Sequence, residues 1–265
     1  QAAVRSTFTG AAFSGITSRS SPSERGLLDP AGPMSLVTTG VGPYQVETSL
    51  VVLENTHNFG GGTVQPIEAI REVRAATQPL GVAMHLDGAR LWNAHVATGV
   101  PLTAYGEQFD TVSVCLSKGL GAPVGSVLVG SAEHMAQARI WRKRYGAGMR
   151  QVGILAAAGI HALDHHLDRL DDDHARAARF AAACAEAAPA SVDAATGETN
   201  IVVLDVGALG WRASAFVAAL IEQGVRTYAV GPGRVRLVWH LDVDDAGTDA
   251  AIDAATTLLR TQIDQ

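Results

Sequence analysis

Four short runs in the first half of the chain are apolar, and each ends in a polar turn that contains or adjoins glycine. They are Leu50-Val51-Val52-Leu53-Glu54, Val82-Ala83-Met84-His85-Leu86-Asp87, and residues 111–117 and 126–130. Runs of this length between turn residues predict buried strands. Between the first two, residues 65–78 place Ile67, Ile70 and Val73 at helical spacing, with Arg71 and Arg74 outward and Pro66 in the first turn. A helix over 131–144 is predicted to end in Arg139, Arg142, Lys143 and Arg144 and to stop at Gly146-Ala147-Gly148. Ala-rich helices follow over 151–163 and 168–188. Strands over 200–206 and 234–241 flank a helix over 212–223, and Gly231-Pro232-Gly233 is a hairpin turn before the last strand. Ahead of all this, residues 8–14 are small and apolar, 17–25 form a polar loop, and glycine and proline break up residues 26–43.

Strands alternating with helices through residue 165 predict an α/β fold with a mostly parallel sheet. The remaining hundred residues predict a smaller α+β unit, which divides the chain into a large domain over 1–165 and a small one over 166–265.

Composition excludes little but does narrow the class. The chain has 265 residues and a formal net charge of -6, with acids and bases intermixed, so neither nucleic acid nor a membrane surface is an expected partner. No apolar run has the length of a membrane span, and no secretory leader is recognisable, so a soluble cytoplasmic protein is expected. Cys115 and Cys184 are far apart, and Cys115, inside a strand, is expected to be a small buried hydrophobe.

Ligands of α/β sheets bind beyond the carboxyl ends of the strands. Three such ends carry His57, Asp87 and Lys118. Lys118 lies between two strand-like runs, a placement expected to desolvate its amine and free the lone pair. An amine, a carboxylate and nearby arginines are what pyridoxal phosphate needs for its aldehyde, its pyridine nitrogen and its anionic groups. Each residue also has a plainer reading: Lys118 in a surface turn, Asp87 as a helix cap, Arg90 on a helix surface. His161, His165, His166 and His174, with Asp164, Asp168 and Asp171 to Asp173, have spacing that permits a metal, but a solvated junction between helices is the simpler reading. No Gly-x-Ser-x-Gly elbow supports a serine hydrolase.

The motifs Leu53-Glu54-Asn55-Thr56-His57-Asn58, His85-Leu86-Asp87-Gly88-Ala89-Arg90, Leu116-Ser117-Lys118-Gly119-Leu120-Gly121-Ala122-Pro123-Val124-Gly125, Gly148-Met149-Arg150-Gln151 and Val235-Arg236-Leu237-Val238-Trp239-His240 occur in that order. Together they resemble the low-specificity L-threonine aldolases, which are fold-type I pyridoxal-phosphate enzymes. The resemblance implies that Lys118 is the Schiff-base lysine and Asp87 the partner of the pyridine nitrogen. It implies that Arg90 and Arg236 hold the substrate carboxylate, that Arg150 reaches a phosphate, and that His57 contacts the substrate β-hydroxyl. The implied reaction cleaves β-hydroxy-α-amino acids, typically threonine or allo-threonine, to glycine and an aldehyde such as acetaldehyde, in a homo-oligomer of two or four chains. Another reaction on the same scaffold, such as β-elimination or hydroxymethyl transfer, stays open, as does a non-catalytic paralogue acting as an oligomeric interaction partner.

Two features depart from the family. Neither its phosphate-cradling Gly/Thr loop nor its ring-stacking histidine is found before residue 50, so the large domain is expected to lack roughly its first third. Trp239 replaces a small polar residue and is expected to reshape the acceptor pocket. Arg236 lies in an apolar run where an unpaired guanidinium is costly, so its partner is either a substrate carboxylate or Asp205 or Asp242.

Overall fold

The computed structural model describes residues 13–192 and 197–261, which leaves most of the apolar stretch at 8–14 outside the described residues. Four strands form the first sheet, β1 (Leu50–Glu54), β2 (Ala83–Gly88), β3 (Thr111–Cys115) and β4 (Ser126–Gly130), in that spatial order. The first three are parallel, and β4 runs antiparallel to β3. Register puts Glu54 opposite Asp87, and Asp87 opposite Ser113, so the carboxyl ends of β1, β2 and β3 finish in step. That alignment brings the loops carrying chemistry to one edge.

The helices of this half are α1 (Ala31–Met34), α2 (Ile67–Thr77), α3 (Leu91–Thr98), α4 (Leu102–Gly106), α5 (Ala132–Arg144) and α6 (Gly153–His165). α2 forms where Pro66 precedes the first turn, and it buries Ile70, Val73 and Thr77 along one stripe. That stripe meets Val51, Leu53, Met84, Leu86, Val112 and Val114, the inward-facing alternate residues of three strands. The strands were expected to be buried throughout. Instead the opposite face of β1 is open, with Leu50 46% and Val52 56% exposed, because no described helix covers it. Along β4 all five residues are exposed.

A second sheet of β5 (Ile201–Asp205), β6 (Tyr228–Ala229) and β7 (Arg234–Val238) has the order β5-β7-β6 and is antiparallel throughout. The hairpin expected at Gly231-Pro232-Gly233 joins β6 to β7, closed by Val230 N–H donating to the Arg234 carbonyl at 2.8 Å. Against this sheet pack α7 (Leu170–Ala187), α8 (Ala213–Glu222) and α9 (Asp245–Arg260), burying Phe180, Phe216, Leu220 and Leu259 with Val235 and Leu237. α9 has no counterpart among the elements expected from the sequence. Its buried stripe consists mostly of Thr248, Ala251, Ala254, Ala255 and Thr256, and Asp244 caps its start by accepting from Gly247 N–H at 2.8 Å.

Trp239 belongs to this core, which corrects the expectation of a pocket residue. It is 2% exposed, lies 5.0 Å from the Phe180 ring, and donates Nε1–H to Thr248 Oγ1 at 3.0 Å. A third cluster of Leu120, Ala122, Ala162 and Leu170 fastens the turn after β3 to α6 and α7. None of the helices described is long and apolar enough to cross a membrane.

Candidate active site

The site is built on three loops that leave β1, β2 and β3 at their carboxyl ends. The loop after β1 is fixed from within. Gln65 N–H donates to the buried Asn55 Oδ1 at 3.1 Å, and His57 N–H donates to the Thr63 carbonyl at 2.8 Å. Gly62, at φ 77°, lets the loop pass close to the second sheet, since a Cβ there would sit 2.3 Å from Thr199 Oγ1.

His57 is tightly held. Its Nδ1 accepts from Gly60 N–H at 3.0 Å, so in the neutral ring the proton is on Nε2, which lies 3.7 Å from Glu54 Oε2. Gly26 walls the ring, since a Cβ there would come within 2.1 Å of Nδ1. One ring nitrogen is therefore spent on the fold.

Asp87 closes β2 with an exposed side chain, and its Oδ1 accepts from Ala89 N–H at 3.2 Å. Asp87 is not the helix cap of the plain reading, since α3 is capped at Arg90 without a side-chain bond; the turn contact occupies one carboxylate oxygen and leaves the other free among the described residues. His85, two residues earlier, donates or accepts at Thr111 Oγ1 over 2.7 Å, and burial lowers its pKa against the opposing pull of Asp87.

Lys118 follows β3. It was expected to be desolvated, and the structure corrects this: Ser117 and Lys118 are exposed, while Gly119 and Leu120 are buried. The turn sinks its glycine, not its lysine. A Cβ on Gly119 would meet Leu170 Cδ2 at 2.8 Å, so a larger residue would have to displace Leu170 where the turn rests on α7. Cys115 is half-buried, not buried as expected, and its Sγ stands 3.5 Å from Ser126 Oγ because the strand face around it is open. Its carbonyl accepts from Trp92 Nε1–H at 2.9 Å, which pins the end of β3 to α3.

Arg90 and Arg236 meet across the two sheets. Both donate to Asn58 Oδ1, Arg90 through Nη1 at 3.0 Å and Arg236 through Nη1 at closer range. Neither Asp205 nor Asp242 pairs with Arg236: Asp205 accepts from Ala208 N–H, and Asp242 lies beside His240. Arg236 is 7% exposed, its guanidinium lies 4.6 Å from the Tyr228 ring centroid, and its Nε has no partner among the described residues. Burial first, and then the charge of Arg90, push the Arg236 pKa down to about 10. Burial also lowers that of Arg90, against the pull of Glu54, Cys115 and Asp87.

Arg150 is exposed, and no hydrogen bond or ion pair among the described residues joins it to the other five. Asn58, Glu54 and Tyr228 are the participants that sequence reasoning left unassigned. Asn58 and Glu54 stand inside a quoted motif, but the contact that reveals Asn58 spans 178 residues. The histidines at the α6 end cluster, His161 tilted against His165 with ring centroids 4.4 Å apart and edge-on to His166 at 5.3 Å. Among the described residues no three His, Cys, Asp or Glu side chains could share a metal ion.

The donor set suits pyridoxal phosphate at two of its ends, with a carboxylate at the end of β2 for the ring nitrogen and an amine after the adjacent parallel β3 for the aldehyde, while the two converging arginines suit a substrate carboxylate.

The chain is 42% identical over 216 residues to the low specificity L-threonine aldolase of Escherichia coli K12, covering 80% of this chain and 61% of that protein. It is 40% identical over 199 residues to low-specificity L-threonine aldolase 1 of Arabidopsis thaliana, covering 74% of this chain and 55% of the relative. The chain thus spans a little over half the length of these relatives. Threonine aldolase from Leishmania major superposes with a TM-score of 0.72 at 19% identity over 92% of this chain and 71% of that one, which shows a shared fold-type I architecture. The beta-eliminating lyase family model matches residues 4–207, and the chain belongs to the beta-eliminating lyase family.

Proposed function

We propose that the protein carrying this chain is a pyridoxal-phosphate-dependent lyase that cleaves β-hydroxy-α-amino acids, threonine or allo-threonine among them, to glycine and an aldehyde. The observation that carries the reading is the convergence of Arg90 and Arg236 on one point beside the loops that bear Asp87 and Lys118. A flat cofactor and an amino-acid carboxylate need these groups at one edge of a sheet. The names of the relatives favour this substrate class within the family.

When bound, pyridoxal phosphate supplies the electron sink for carbon–carbon cleavage. Asp87 would hold the ring nitrogen with its free oxygen and keep it protonated, and Lys118 would supply the amine for the aldehyde. Arg90 and Arg236 clamp the substrate carboxylate and so orient the bond that breaks. His57, with Nδ1 filled, meets the β-hydroxyl through Nε2, and the Glu54 carboxylate beside it takes up the hydroxyl proton. Arg150, exposed and without a hydrogen bond or ion pair among the described residues, suits a site on a neighbouring subunit.

Self-association belongs to the same proposal. β1 and β4 leave Val52, Val127 and Val129 exposed, apolar area that a second chain would cover. The division near residue 165 is supported by separate cores on either side of it.

The test is to load the purified protein with pyridoxal phosphate, treat it with borohydride, and assay aldehyde release from threonine. A visible band abolished by borohydride, together with aldehyde release, is expected. Colour without aldehyde would overturn the aldolase assignment in favour of another reaction, and no colour would indicate a non-catalytic paralogue.

A further inference from the structure

Arg90 and Arg236 carry like charges, yet both are drawn to a single atom, Asn58 Oδ1. Because both partners are donors, the amide must present its oxygen. Its own backbone is fixed as well, since Asn58 N–H donates to Glu54 Oε1 at 2.9 Å. The acceptor therefore hangs from a rigid loop on the first sheet and reaches an arginine of the second. It adds no negative charge, so the two guanidiniums converge while their mutual repulsion persists, the lesser contribution after burial to the lowered pKa of Arg236. Arg236 Nε remains buried and unpartnered. Two forks aligned on one neutral oxygen, with a donor to spare, are primed for a carboxylate.

We propose that Asn58 is the positioning residue of the carboxylate site: a neutral placeholder that holds Arg90 and Arg236 convergent without neutralising them. An aspartate of the same shape would keep both hydrogen bonds but cancel the charge that attracts an incoming anion. Where Asn58 only braces its loop, aspartate would serve equally well or better. The kinetic arm below rests on the proposed function, and the binding arm does not.

The binding arm follows the melting temperature of the wild-type chain, Asn58→Asp and Asn58→Ala as acetate is added, with acetamide as the neutral control. Acetate is expected to stabilise the wild type. Asn58→Asp should melt higher without acetate and gain nothing from it. Asn58→Ala should melt lower and gain more than the wild type, since the anion replaces the lost acceptor, and so the proposal stays testable should one variant fold poorly. In the kinetic arm, the KM of Asn58→Asp for threonine is expected to rise about tenfold or more, with most of the loss in KM and not in kcat. Equal acetate shifts in all three proteins, or equal shifts from acetamide, would overturn the inference. A chain that follows the acetate pattern yet cleaves no threonine keeps this inference and loses the proposed function.

Discussion

The side-chain amide of Asn93 donates to Nε2 of His174 at 3.0 Å, with both residues buried, and so ties α3 to α7 directly beneath Gly119. The pair works only while the imidazole is neutral, because Nε2 must accept. Burial pushes the His174 pKa down to about 4, against an opposing pull from Asp171. Between that value and the ordinary 6.5 the unfolded chain binds a proton that the folded chain refuses. Stability from this residue is therefore complete above pH 6.5 and drains away as pH falls towards 4. The loss is on the order of 3 kcal/mol by the bottom of that window. Urea denaturation at pH 7.5 and at pH 5 checks it, and His174→Leu is expected to flatten most of the difference. His85, also lowered by burial, accounts for a remainder of the same sign.

Lys118→Ala is expected to abolish borohydride-fixed attachment of pyridoxal phosphate, read as intact mass. Lys143 is the other lysine of the chain, and it lies at the end of α5, away from the strand ends. Attachment that survives in Lys118→Ala would show that the wrong amine has been assigned.

Asp87→Asn preserves an acceptor for Ala89 N–H and removes the charge that would hold a proton on the ring nitrogen. Turnover is expected to fall by about 100-fold or more, roughly 3 kcal/mol of barrier, with cofactor still bound. A rate near that of the wild type would reduce Asp87 to a turn residue.

Trp239→Thr restores the small polar side chain that the aldolases usually carry. Because Trp239 fills the core against Phe180, the substitution is expected to cost about 3–5 kcal/mol of stability. Its effect belongs in a denaturation curve. A change in aldehyde preference at unchanged stability would contradict the buried position.

The strands and their chemistry were legible because apolar runs and turn residues are local signals. β4 emerged at the bounds expected, and Asp87 and Lys118 follow strands as their motifs suggested. α9 carries a helical pattern as clear as that of α2, with Ala251, Ala254, Ala255 and Leu259 on one face behind the Asp244 cap, yet small alanines in an Ala-rich chain hid it from the sequence reading. The exposure of Lys118 was equally hidden. Sequence shows that a lysine stands between two strands, but its solvation depends on what other segments lay over it. Asn58 illustrates the remaining gap, because the partner that gives it meaning lies 178 residues away on another sheet.

Among the described residues, the two outer strands of the first sheet, β1 and β4, each present an unpaired row of backbone amides and carbonyls beside exposed apolar side chains. Val127, Leu128 and Val129 are 43%, 41% and 52% exposed on one, and Val52 is 56% exposed on the other. Such edges are templates for strand addition. In the test tube the chain therefore has two adhesive seams, and its colloidal behaviour is governed by them more than by its modest charge. Light scattering should climb steeply with concentration, and a lysine placed at Leu128 should quiet it.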